Sequence, residues 1–104
     1  WDAYRALHPL INLLYPTQGG NMMQSLIHKF EQGGWIPIFP CWNSYTAAMI
    51  GDHCIAAIGD AYIKGVRNFD IEKAYEAMRK MLSNHLLIKK TIKMEWDAVH
   101  CNRT

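Results

Sequence analysis

Few residues in this 104-residue chain are equipped for chemistry, and most gather in its middle. Asp52, His53 and Asp60 are the polar exceptions in a run from Thr46 to Lys64 that is otherwise apolar and rich in alanine and glycine. The seven-residue step from His53 to Asp60 puts these two on one side of a helix, with Ala57 between them. Polar groups in such surroundings need partners. Two roles satisfy that need. Asp52 and His53 could cap loops or bond neighbouring helices, or they could line a pocket at the N-terminal end of their helix. Just upstream, Trp35, Phe39 and Trp42 alternate with Pro37 and Pro40. Aromatic rings offer flat apolar faces with polar rims at low entropic cost, which suits stacking against sugar rings. Asp2, Asn43, Ser44 and Asp52 could then serve hydroxyl groups. The same aromatics also fit a loop packed on its own core.

Other chemistries find less support. His53-Cys54, His85 and His100-Cys101 have no spacing of a structural zinc motif. No nucleophile-elbow sequence and no phosphate-cradling glycine loop occurs. Cys41, Cys54 and Cys101 are an odd number without paired spacing, which reads as free thiols with Cys54 in a helix core. A net charge of +2, with both signs interleaved outside Lys89, Lys90 and Lys93, leaves no broad footprint for nucleic acid. Apolar runs are too short for a membrane span. The chain opens on Trp1 without a methionine, which reads as a cut, so missing targeting signals carry no weight.

These residues must be held by helices. Tyr4, Leu7, Leu10, Ile11 and Leu14 have the spacing of one helical face. Pro9 predicts a kink there or a restart with proline in the first turn. Tyr15-Pro16 ends the segment, Thr17 or Asn21 can cap the next, and Met22, Met23, Leu26, Ile27 and Phe30 follow at helical spacing until Gly33, so the first two helices are expected to form an antiparallel hairpin. Gly33-Gly34 stops that helix, the proline pair forces an extended loop, and a third helix is expected from Thr46. Gly65 ends it. Asp70 is placed as the N-cap of a fourth helix, with Ile71, Ala74, Tyr75, Met78 and Leu82 as its buried stripe. After Ser83-Asn84, helical and strand spacings compete. The class is all-α.

Three strings in order, WDAYRALHPLINLLYP, GGWIPIFPCWNSYTAAMIGDH and IGDAYIKGVRNFDIEKAYEAM, resemble the catalytic domain of the family 92 glycoside hydrolases, calcium-dependent exo-α-mannosidases. The resemblance covers about residues 1 to 81, so 1–82 reads as a fragment of that domain and 83–104 as a divergent tail. It implies helical hairpins forming part of an (α/α)6 toroid, in a longer protein where a β-sandwich precedes it. It also implies an inverting glycosidase acting on α-linked mannose of N-glycans, mannans or mannosyl phosphodiesters, at a secreted, periplasmic or cell-surface location.

Inverting enzymes hold an acid and a base roughly 6.5–9.5 Å apart, with water between base and sugar. By the resemblance, the base and the calcium ligands belong to blocks outside this chain, so no metal ligand is assigned here and the fragment alone is expected to be inactive. Pro40 stands where many members carry the general-acid glutamate. Proline donates no proton, and a phosphate leaving group needs none. Trp1 and Asp2 match a pair placed near the terminal-sugar subsite. The substrate-binding set is then Trp1, Asp2, Trp42, Asn43, Asp52 and His53. The alternative is a non-catalytic helical module that binds a carbohydrate or a protein.

Overall fold

The computed structural model describes residues 2–46 and 49–84. Trp1 and the tail from 85 onward, where helix and strand spacings competed, lie outside them. A short 3-10 turn, Asp2–Tyr4, leads into α1, Leu7–Leu14. Pro9 is the third residue of α1. Its missing N–H would have had no partner in the first turn, and Leu10 N donates to Ala6 O at 2.9 Å as the ladder begins. Pro16 disfavours helical backbone at Tyr15, which turns away at φ −135 and ψ 66. That same proline is the first residue of α2, Pro16–Gly33, so one residue both ends α1 and starts α2. The structure thus starts α2 ahead of Thr17 and Asn21.

Gly34 closes α2 at φ +82, its N–H on Phe30 O at 2.7 Å, the left-handed cap that glycine takes without steric cost. A loop follows, and α3 spans His53–Ile63. The sequence placed the start of this helix at Thr46. Gly51 at φ +94 has no place in a helix, and the Thr46 hydroxyl is spent on Phe39 O across the loop. Residues 47–48 lie outside the described residues. At the other end Gly65, φ +86, ends α3 as expected: Val66 N reaches Ala61 O at 3.0 Å and Gly65 N reaches Tyr62 O at 3.1 Å, the paired bonds of a Schellman turn.

A fourth helix, α4, covers residues 71–84. Asp70 caps it, its Oδ1 accepting from Lys73 N at 3.1 Å. The buried stripe differs from the expected one. Ala74, Ala77 and Met81 are buried with Ile71 and Met78 beside them, whereas Tyr75 and Leu82 are 64% and 60% exposed. Small alanines face the core here, and the larger side chains that catch the eye in the sequence face outward.

Met23 and Ile27 of α2, Ile36 of the loop, Ala57, Ile58 and Ala61 of α3, Val66 and Phe69 of the turn, and the α4 stripe form one apolar cluster. No described helix is long and apolar enough to cross a membrane.

α1 is tied on by polar groups. Asn12, buried, donates from Nδ2 to Asp60 Oδ2 at 3.0 Å, and Lys64 Nζ lies 2.7 Å from Asp60 Oδ1. A methyl group on Gly19 would sit 2.2 Å from Asn12 Oδ1, so α2 must carry glycine where α1 crosses it.

Candidate active site

The loop between α2 and α3 is held at three points. The Tyr45 hydroxyl reaches both Lys29 O, near the end of α2, and Trp35 O at 2.8 Å, with its ring lying on Gly33. Thr46 bonds Phe39 O, and Cys54 Sγ lies 3.1 Å from Pro37 O. Ile36 and Pro37 are thereby buried. Between Cys41 and Ser44 the chain makes a two-residue reversal with paired bonds of 3.2 and 3.0 Å. Both central residues are left-handed, Trp42 at φ 50 and Asn43 at φ 56. Asparagine tolerates that region, while tryptophan there is unusual. Trp42 is 92% exposed, so no packing of its ring explains the strain.

Three hollows border this loop, and two of them gather residues proposed from the sequence. The first, 350 Å³, is built from the turn (Tyr4), α1 (His8), one face of α2 (Met22, Ser25, Leu26, Lys29), the loop (Ile38, Pro40) and the first turn of α3 (His53, Cys54). The second, 480 Å³, lies under the reversal, with Trp42, Asn43 and Tyr45 in its wall. Lys29 and Pro40 line both. Neither wall contains a carboxylate among the described residues; its hydroxyl, amide and imidazole groups can donate as well as accept, and Lys29 only donates.

His53 stacks on Tyr4, ring centroids 4.1 Å apart and planes 5° from parallel, which fixes the imidazole at the rim. Burial lowers the pKa of His8, so that ring is held toward its neutral form. Burial pushes the Cys54 thiol up; Lys29 works against that shift and Asp52 adds to it. A raised thiol is a poor nucleophile.

The residues proposed from sequence are distributed unevenly. Pro40 and His53 meet in the first hollow, and Trp42 and Asn43 lie in the second. Asp52 immediately precedes α3, its carbonyl accepting from Ile55 N at 3.0 Å, and lines neither hollow. Asp2 is exposed on the 3-10 turn beside Ala3 and Tyr4, which do reach the first. Trp1 lies outside the described residues. Asp60 parts from His53 altogether, since Asn12 and Lys64 hold it against α1. Trp35 lines the third hollow instead, on the side of α4, where Lys80 Nζ sits 4.8 Å from its ring centre.

Sequence reasoning passed over Tyr4, His8 and Lys29. For Lys29 a signal existed: Met22, Ser25, Leu26 and Lys29 step by three and four residues, a face flanking the apolar one.

With this geometry the chain matches the glycosyl hydrolase family 92 catalytic domain over residues 1–99. The chain belongs to glycosyl hydrolase family 92. The match runs beyond Met81, the reach of the resemblance read from the sequence. No match to a curated protein was found. A glycosidase domain turns the hollows into candidate subsites for a glycan, and their aromatic and hydroxyl-bearing walls suit one.

Proposed function

We propose that this family 92 chain supplies part of the active centre of an inverting glycosidase that releases α-linked mannose, and that its best substrates are mannosyl phosphodiesters. The observation that carries the reading is Pro40 in the wall of both hollows, with no carboxylate beside it among the described residues. Cleavage of an ordinary glycoside expels a sugar alkoxide, which needs a proton as the bond breaks. A phosphomonoester leaves without one, because its second pKa is about 6. In the proposed reaction water forms the new bond to the anomeric carbon and passes a proton to a base. The bond from that carbon to the phosphate oxygen breaks with its electron pair, and a phosphomonoester dianion departs.

The base is assigned to residues outside those described. So is calcium, which takes six to eight oxygen ligands. Among the described residues no three His, Cys, Asp or Glu side chains converge, and an ammonium in the wall of both hollows opposes a cation. These residues do not fit calcium. The helices are read as consecutive members of an (α/α)6 toroid, and the 104-residue chain alone is expected to release no mannose.

A second reading, a carbohydrate-binding module without catalysis, draws on Trp42, strained and exposed as a stacking platform. Incubating the full-length protein with a mannosyl phosphodiester decides between them: mannose and a phosphomonoester are the expected products. Binding without release of mannose would favour the module.

A further inference from the structure

Among the described residues Lys29 is the one lysine in the wall of either hollow, and it lines both. It is only partly exposed, yet it makes no ion pair with any carboxylate among the described residues. The other lysines near described carboxylates do pair: Lys64 with Asp60, Lys73 with Glu31 and Asp70. Withdrawing an ammonium from water costs free energy that a counter-charge normally offsets. Here the counter-charge has room but no owner among the described residues. Its backbone is fixed, because Lys29 O accepts from the Tyr45 hydroxyl, so the side chain leaves a rigid base. Ser25, four residues earlier on the same face, adds a hydroxyl donor to the first hollow. His53 borders the same space, from the start of α3, where the helix dipole is positive.

We propose that Lys29 binds the phosphate of the substrate, with Ser25 beside it, at the junction of the two hollows. This rests on the mannosyl phosphodiester reading above. Sharing the walls of both hollows with Pro40 gives it a role in the reaction. As the bond to the anomeric carbon breaks, the phosphate gains a second negative charge. An ammonium already fixed there stabilises the developing charge more than the bound diester. Lys29 thus does for a phosphate leaving group what a proton donor does for an alkoxide.

The test uses Lys29→Met, which keeps the aliphatic stem, and Lys29→Arg, which keeps the charge, both checked for unchanged helical circular dichroism. In the full-length protein the ratio of kcat/KM for a mannosyl phosphodiester to that for an activated, uncharged aryl mannoside should fall on the order of ten- to a hundredfold in Lys29→Met. Lys29→Arg should keep most of it. An unchanged ratio in Lys29→Met overturns the assignment. Should the wild-type protein not cleave mannosyl phosphodiesters, the functional reading fails and inorganic phosphate becomes the probe. Phosphate binding that weakens with salt and is lost in Lys29→Met then supports the anion site; phosphate binding indifferent to the substitution, or absent in wild type, overturns it.

Discussion

Two polar clusters lie at the two ends of α3, and they differ in one respect. At its C-terminal end the Asp60 charge is met by Lys64, with the Asn12 amide as a second donor, and Lys64 also reaches Pro9 O at 3.5 Å. At its N-terminal end Lys29, His8, Ser25 and His53 surround an open hollow in which the lysine has no acidic partner among the described residues. A completed cluster fastens helices. An incomplete one of fixed geometry has its partner still to come, and here the missing partner is an anion. Their common helix makes the contrast useful, since substitutions at one end should change stability and at the other end catalysis.

The largest expected effect lies at the open end. If Pro40 leaves the hollow without a proton donor, kcat/KM for a mannosyl phosphodiester should exceed that for α-linked mannobiose by roughly a hundred- to ten thousandfold more than in a relative with glutamate there. Pro40→Glu should restore little, because the loop is built around a proline's fixed φ. Equal ratios in the two proteins would show that a neighbour such as His53 protonates the leaving group.

The loop itself can be loosened from a distance. An alanine methyl at Gly33 would fall 2.1 Å from the Tyr45 hydroxyl oxygen and 2.2 Å from a ring carbon. The ring cannot yield freely, since its hydroxyl is tied to Lys29 O and Trp35 O. Gly33→Ala should therefore cost about 1–3 kcal/mol despite alanine's better helix propensity. Gly20→Ala also meets a side chain, at 1.8 Å, but that neighbour is the exposed end of Asn68, which can swing outward at the loss of one bond to Thr17 O. It should cost less, about 1 kcal/mol or under. Thermal melts of the two variants compare them directly, and a Gly20→Ala cost equal to that of Gly33→Ala would break the argument.

The stops and starts of the helices were legible because single residues enforce them. Gly34 and Gly65 adopt the left-handed conformation, Tyr15-Pro16 ends α1, and Asp70 caps α4; that Pro16 also opens α2 was missed, because Thr17 and Asn21 suit its cap in the sequence. Each acts within a few residues, so local chemistry decides. The start of α3 was not legible. Apolar small residues from Thr46 onward fit a helix, but the fate of Thr46 is set by Phe39 O seven residues away, and Gly51 breaks the run. The α4 stripe held at Ile71, Ala74 and Met78 but missed at Tyr75 and Leu82 for a related reason: periodicity finds a face, but which of two overlapping faces is buried depends on what packs there. The site divides in the same way. His53 and Pro40 stand out as residues, and the two hollows bring them together with Lys29, which carries no motif of its own. Only the crossing of α2 with the loop gives Lys29 meaning.

The smallest effect belongs to the closed cluster and carries a pH signature. Burial alone would raise the Asp60 pKa, but the hydrogen bonds from Lys64 and Asn12 outweigh it and hold the carboxyl below its ordinary value. A folded-state pKa depressed in this way stabilises the fold above the unfolded value, near 3.9, and that stability is lost as pH falls through the folded value. Asn12→Ala removes one of the two donors. It also removes Asn12 Oδ1, which is buried without a hydrogen-bond partner among the described residues, so part of the loss is returned. The net cost at pH 7 should be about 1 kcal/mol or less. It should shrink toward zero as Asp60 protonates, because a neutral carboxyl gains less from the amide. Denaturant melts of both proteins from pH 7 down to about pH 2, a range that passes below the depressed carboxyl value, measure this, alongside kcat/KM at pH 7. A cost that stays constant across the range would mean that Asn12 acts by packing against Gly19 alone. A fall in kcat/KM out of proportion to the lost stability would join the two clusters that the geometry of α3 keeps apart.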